Sequence, residues 1–289
     1  MGSNPTPAAI NYMIYVLYHS NCPDGFGAAY AAWRRFGESA EYIPVTHGQP
    51  YPSIIESPEA DVYILDFSYK RADLEKLKKI VKSLTVLDHH KTAEEDLRGL
   101  DYCTFDINRS GALISYDHFT NKMDNWYIRA FFQYISDRDL WQWKYPNSRE
   151  INACFMSYPY TFAAYDNLCS MFVANPNLLI QEGLAIMRQN AKDIDMICDQ
   201  SELIQWCGHQ TVVVNATSNW SDVGHRLLER HPEAKISLSY CKRKVGDWRF
   251  SLRSRGDIDV STLAKAYGGG GHQQAAGFEW PDLTVIGIE

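Results

Sequence analysis

The sequence predicts an α/β protein, with an N-terminal domain built on a parallel sheet, a long helix, and a smaller α/β domain after it. Three observations predict this. In the first half of the chain, short apolar runs rich in β-branched and aromatic residues alternate with helix-forming stretches, the pattern of strand–helix units. A long segment, 176–205, keeps apolar residues at helical spacing. Beyond it the alternation restarts and runs into a block of glycines.

The run 12–18 (YMIYVLY) is a buried strand that ends in the polar, glycine-rich turn His19-Ser-Asn-Cys-Pro-Asp-Gly-Phe-Gly. A helix follows over 28–36 and a second strand over 42–45. The third strand, 61–66, ends on the carboxylate of Asp66. A helix over 70–82 places Leu74, Leu77 and Val81 on one face. The fourth strand, 84–87, runs directly into Asp88-His89-His90. Helices are expected over 110–119 and 124–135, the first capped by Ser110-Gly111 and the second leading into Ser136-Asp137-Arg138-Asp139. The long helix carries Leu178, Leu179, Ile186, Ile194 and Ile197. After it come strand 211–215, helix 221–230, strands 235–241 and 248–253, and helix 261–266. Gly268-Gly-Gly-Gly-His272 then leads into an apolar strand start at Ala275. The domain limits read from this pattern are a disordered tail over 1–10, a first domain over 11–175, a linker helix over 176–205 and a second domain over 206–289.

With 289 residues, 45% apolar and 22% charged, the composition is that of a globular chain and excludes a disordered or collagen-like one. The net charge of −7 argues against sequence-blind binding to long duplex DNA, which needs a basic surface. It suits a protein that gathers divalent cations on carboxylates. The seven cysteines show no CxxC and no disulfide framework, so a reducing, cytoplasmic setting is expected. No apolar run reaches the roughly 18 residues of a membrane span, and no signal peptide is read, so no membrane partner is expected. A homodimer is compatible with the sequence.

In open parallel sheets, ligands bind at the carboxyl ends of the strands. Here the predicted strand and helix ends finish on ionisable residues: His19 and Asp24, Asp66, Asp88-His89-His90, and Asp137. Hard divalent cations take carboxylate and imidazole ligands. Two such ions about 4 Å apart form a clamp for phosphoryl transfer. A lone Asp after a strand is often only a cap or turn residue. Four such ends on one sheet edge are harder to assign to caps alone.

These residues carry a resemblance. LDHH at 87–90, DGFGAAYAA at 24–32, ILDFS at 64–68 and ISDRDLW at 135–141 resemble the motifs of the DHH phosphoesterase superfamily. FSLRSRGDIDVSTLA followed by GGGGHQQAAGF at 268–278 resembles the C-terminal substrate domain called DHHA1. The motifs lie in family order and span most of the chain. The resemblance implies a DHH metal-binding catalytic domain and a DHHA1 domain that closes over substrate. It implies one or two Mn2+ ions, with Mg2+ or another divalent cation as substitutes. Their ligands are implied to be His19, Asp24, Asp66, Asp88, His89 and Asp137, with Asp66 bridging. Asp88, His89 and His90 are the implied catalytic group, and a water or hydroxide between the ions is the implied nucleophile.

One departure concerns Cys22. Many members of the superfamily carry two Asp residues two positions apart in the first motif, where this chain reads Cys22-Pro23-Asp24. One metal position is then thiolate-bearing, water-filled or weak, or Cys22 is only a small turn residue. In the second domain, Gly268–Gly271 is expected to present consecutive N–H groups as an anion nest. Arg253, Ser254, Gly269, Gly270, Gly271 and His272 are the candidate substrate-binding residues, Arg253 through bidentate contact with phosphate.

The leading functional expectation is a metal-dependent phosphoesterase acting on short nucleic acids or nucleotides. A phosphate cradle apart from the metal ligands implies a substrate with at least two phosphates. One alternative is a pyrophosphate or polyphosphate hydrolase. Another is a catalytically reduced nucleotide-binding module, which the Cys22 departure makes conceivable.

Overall fold

A computed structural model describes residues 14–120 and 126–287. The expected tail over 1–10 and the starts of the expected strand at 12 and helix at 124 lie outside the described residues. In chain order the elements begin with β1 (Ile14–His19), α1 (Pro23–Phe36), β2 (Glu41–Val45), β3 (Asp61–Leu65) and α2 (Arg71–Lys78). They continue with β4 (Ser83–Asp88), α3 (Lys91–Leu97), β5 (Cys103–Phe105), α4 (Gly111–Phe119) and α5 (Trp126–Asp139). Three helices follow: α6 (Ser148–Ser157), α7 (Phe162–Ala174) and α8 (Pro176–Cys198). The rest comprises β6 (Glu202–Trp206), β7 (His209–Asn215), α9 (Trp220–Arg230), β8 (Ile236–Lys242), β9 (Trp248–Ser254), α10 (Val260–Ala266), β10 (Gly270–His272) and β11 (Ala275–Trp280).

By its contacts the chain divides into two units. The first comprises the described parts of Met1–Asp88 and Gly99–Pro146, with Tyr158–Ala174. The second comprises His89–Arg98, Asn147–Ser157 and the described part of Asn175–Glu289.

The first unit holds a parallel sheet in the order β2-β1-β3-β4-β5. Its central strands read as apolar runs because both faces are covered. Val16, Leu65 and Leu87 from the strands bury against Ala28 and Ala32 of α1 and Ile114 of α4. Register pairs Leu17 with Ile64 and Leu65 with Leu87, so β1, β3 and β4 end at one sheet edge. Gly25 sits directly under the end of β1, where a Cβ would stand 2.2 Å from the carbonyl oxygen of His19. Only glycine lets α1 begin this close to the strand it follows.

The second unit holds a mixed sheet in the order β10-β11-β9-β8-β7-β6. Only β7 and β8 pair in parallel, with the helix α9 between them in sequence. One side of this sheet buries Ile236, Leu238, Phe250, Leu252 and Phe278. The other buries Val212 and Val214 against Val223 and Leu227 of α9. The chain is therefore α/β throughout.

The expected long helix ends at Cys198 and not at 205. Residues 202–206 form β6, paired antiparallel with β7 through the two-residue turn Cys207-Gly208. Both turn residues have positive φ, 48° and 78°, the backbone a tight hairpin requires. The helical spacing through Ile194 and Ile197 gives no stop signal strong enough to show this. The helices α3, α6 and α7 and the short strand β5 were not expected. In α3, KTAEEDL carries few apolar residues, so its periodicity is weak.

Candidate metal centre

The first unit gathers its ionisable residues at the carboxyl edge of the parallel sheet. His19 ends β1, Asp66 follows β3 and Asp88 ends β4. Asp24, Asp66 and Asp88 are each only 1% exposed. Burying carboxylates is costly unless hydrogen bonds or cations compensate. Asp66 adopts a left-handed φ of 52°, uncommon for a residue other than glycine. Its own N–H still donates to the carbonyl of Leu87 at 2.9 Å, extending the β3–β4 ladder by one bond. The turn therefore aims the Asp66 carboxylate along the sheet edge.

Potential ligand atoms of Asp66 and Asp88 lie within 4.8 Å of each other. The same holds for His19, Cys22 and Asp66 taken together, and for Asp24 with Asp139. His19 Nδ1 stands 3.6 Å from Asp66 Oδ2. Ser68, two residues beyond Asp66, donates its hydroxyl to Asp88 Oδ2 at 2.6 Å and fixes that carboxylate's orientation. The His19 ring lies 5.2 Å from that of His47, which itself stacks on Phe67 at 4.6 Å. Burial, then the charges of Asp66, Asp139 and Asp24, push the Cys22 thiol well above its ordinary range.

The N-terminus of α4 corrects the expected cap. Ser110 makes no side-chain cap bond. Instead Asp24 Oδ2 accepts from the N–H of Gly111 at 2.7 Å and Oδ1 from that of Ala112 at 3.1 Å. A carboxylate at a helix N-terminus is favoured by the orphan N–H groups and the dipole. Gly111 is needed for a second reason, since a Cβ there would stand 2.5 Å from Asp66 Cβ.

Asp137 is placed differently from the expectation. It is buried, and its two carboxylate oxygens accept from the N–H groups of Lys144 at 3.0 Å and Tyr145 at 3.3 Å, tying down the loop after α5. Asp139, two residues on, is the carboxylate that stands beside Asp24. Residues two apart on a helix face different sides, so Asp137 and Asp139 take separate tasks. The sequence reading set Asp139 next to the motif without assigning it as a ligand, and it passed over Ser68. The signal for Ser68 was its place in ILDFS.

The second unit begins at His89, the residue bonded to Asp88. Its potential ligand atoms bring His89, His90 and His272 within 4.8 Å of one another. The His272 ring centroid is 4.6 Å from that of His89 and 4.8 Å from that of His90, nearly parallel to the latter at 17°. This triad is held by contacts from α3. Lys91 Nζ meets Asp259 Oδ2 at 2.6 Å, Thr92 Oγ1 accepts from the Gly271 N–H at 3.2 Å, and Lys265 Nζ meets Glu95 Oε2 at 3.2 Å. Asp259 also caps α10 through the N–H groups of Ser261 and Thr262. Burial opposes ionisation of Asp259, but hydrogen bonds from Lys91, Ser261 and Thr262 outweigh it and bring its carboxyl down to about 2.

The glycine run does not build the expected nest of consecutive N–H groups. The N–H of Gly268 donates to Lys265 and that of Gly269 to Ala264, closing α10, while that of Gly271 is spent on Thr92. Gly270–His272 pairs antiparallel with Ala275–Gly277. A Cβ at Gly269 would stand 2.1 Å from the carbonyl oxygen of Gly277, so glycine here serves close backbone approach. Arg253 donates to Ser221 Oγ and to the carbonyl of Leu252, each at 2.7 Å, and Ser254 donates to the carbonyl of Ile258 at 2.7 Å. Of the substrate-binding candidates, His272 is the one the structure sets beside His89 and His90.

The donor set fits a divalent cation: imidazole, carboxylate and thiol groups stand close enough to share one ion. Among the described residues, no helix is long and apolar enough to cross a membrane.

Comparison with known proteins adds four findings. A family model described as the DHHA1 domain matches residues 223–286. The chain is 26% identical over 302 residues to oligoribonuclease NrnB of Bacillus subtilis (strain 168), covering 91% of this chain and 72% of that protein. It is 28% identical over 297 residues to an uncharacterized protein, R106, of Acanthamoeba polyphaga mimivirus, covering 93% of this chain and 68% of that one. Among solved structures, RecJ of Thermus thermophilus in complex with Mn2+ matches with a TM-score of 0.52 at 14% identity, over 94% of this chain and 50% of that chain, a likeness of fold.

Proposed function

We propose that this chain, a phosphoesterase of the DHH type with a C-terminal DHHA1 domain, hydrolyses phosphate esters of short oligonucleotides or nucleotides in a divalent-cation-dependent reaction. The observation that carries this reading is the buried Asp66–Asp88 pair at the carboxyl edge of the parallel sheet, with His19 and Cys22 beside Asp66 and the histidine pair next in sequence. Divalent cations held there supply Lewis-acid charge for phosphoryl oxygens and ease the ionisation of water.

The protein's own groups do the rest. His19, Asp24, Asp66, Asp88 and His89 are the proposed ligands, and Asp139, which stands beside Asp24, takes the ligand role that the sequence gave to Asp137. Ser68 holds the Asp88 carboxylate so that one oxygen keeps its direction toward the centre. In the second unit, His90 and His272 offer imidazole N–H donors to phosphate oxygens. Lys91 and Thr92 hold the segment carrying His272 in register with His89 and His90. A short substrate is favoured by the net charge of −7 and by the relative named an oligoribonuclease.

The test is a hydrolysis screen of the full chain with Mn2+ against dinucleotides, short oligoribonucleotides, nucleoside bisphosphates and pyrophosphate. Turnover of dinucleotides or nucleoside bisphosphates is expected, falling to the buffer blank in Asp88→Ala. Release of phosphate from pyrophosphate alone, or an undiminished Asp88→Ala, overturns the reading.

A further inference from the structure

Cys22 occupies a chemically unusual position. It is the residue before α1, and its thiol makes no cap bond to the helix it precedes. Its Sγ lies within 4.8 Å of ligand atoms of both His19 and Asp66. Three different donor types thus converge from the end of β1, the turn into α1 and the turn after β3. The spacing suits one small ion. Tetrahedral coordination at zinc-like bond lengths puts neighbouring donor atoms roughly 3.3–3.8 Å apart. His19 Nδ1 and Asp66 Oδ2 stand 3.6 Å apart.

We propose that His19, Cys22 and Asp66 form a three-donor site for a thiophilic divalent cation of the Zn2+ or Co2+ class, which selects that position of the centre against Mg2+. This rests on the functional reading above and deepens it by naming the metal class. The sulfur decides the selection. Thiolate is a soft ligand, whereas Mg2+ seeks near-octahedral oxygen coordination. The charge balances: one thiolate and one carboxylate neutralise a divalent ion, and His19 adds a neutral donor. Cation binding displaces the thiol proton to solvent, forming the metal–sulfur bond. Three protein ligands leave a fourth position open, the arrangement of catalytic rather than structural zinc sites.

The test is a Co2+ titration of the full chain after chelator treatment, followed by absorption. The wild type is expected to show a thiolate-to-cobalt charge-transfer band in the near ultraviolet, retained in excess Mg2+. Cys22→Ser should lose the band and weaken Co2+ binding by more than the roughly 10–100-fold that loss of an outer-shell partner costs. Cys207→Ser, which removes an exposed cysteine, should keep it. Cys22→Asp should lose the band and shift preference toward Mn2+, while unchanged circular dichroism shows that both variants fold. Co2+ bound without the band, or a band surviving Cys22→Ser, overturns the site but leaves the phosphoesterase reading standing. A band with no hydrolysis of any phosphate ester keeps the site and overturns that reading. Absence of any Co2+ binding overturns the site, while the phosphoesterase reading stands or falls on Mn2+-dependent hydrolysis.

Discussion

Asp24 shows how one side chain both holds the fold and stands in the proposed centre. Both of its oxygens accept backbone N–H groups from the start of α4, and the same carboxylate stands beside Asp139. A carboxylate has more acceptor positions than two capping bonds use. Its motif was legible from DGFGAAYAA; its capping role was not, because its partner lies 87 residues away in sequence. Asp137 and Asp139 make the complementary point: residues two apart on a helix point to different sides, and only the packed structure shows that Asp137 holds the loop after α5 while Asp139 stands beside Asp24. Asp259 carries a prediction at this scale. Its carboxyl sits at about 2, below the unfolded value of about 4, so its ionised form stabilises the native state. That contribution is fully present above about pH 4 and is lost as pH falls toward about 2. Thermal unfolding of wild type and Asp259→Asn should show a Tm gap that is constant from neutral pH down to about 5 and closes near pH 2. A gap that widens on acidification would contradict the Lys91–Asp259 account.

At the level of elements, β1 to β4 were readable because each is a short apolar run between turn signals, whereas the short β5 and the order of strands in the sheet were not. The end of α8 was not readable, since the hairpin that follows it depends on pairing with β7. The helices α6 and α8 meet at Gly183, where a Cβ would stand 1.9 Å from the carbonyl oxygen of Glu150. Gly→Ala inside a helix normally stabilises by up to about 1 kcal/mol. Here the contact is backbone and cannot rotate away, so overpacking wins and Gly183→Ala should cost roughly 1–3 kcal/mol. Chemical denaturation measures this, and equal or raised stability would show that the helices are not in such close contact.

For the whole molecule, three buried carboxylates, Asp24, Asp66 and Asp88, carry the proposed centre, and that proposal predicts linkage between cation binding and stability. Chelator-treated protein should keep its secondary structure, since both sheets have their own apolar cores. Added Mn2+ should then raise Tm, with stabilisation of about 2.7 kcal/mol at a concentration 100 times Kd. Asp88→Ala should show a smaller rise, and an unchanged wild-type Tm at saturating Mn2+ would count against a built cation site.

Local pattern alone determined the α/β class and the polar ends of the predicted strands, because apolar periodicity and polar strand termini are written in consecutive residues; the motif residues from His19 to His272 were marked as a set by resemblance. Tertiary structure alone decided that Asp24 caps α4, that Asp139 rather than Asp137 stands beside it, that Ser68 orients Asp88, and that the glycine run closes a helix and pairs a strand. Those outcomes depend on which backbone N–H groups and carboxylates meet across long stretches of sequence, and hydrogen-bond partners brought together by packing leave no periodicity for a sequence to display.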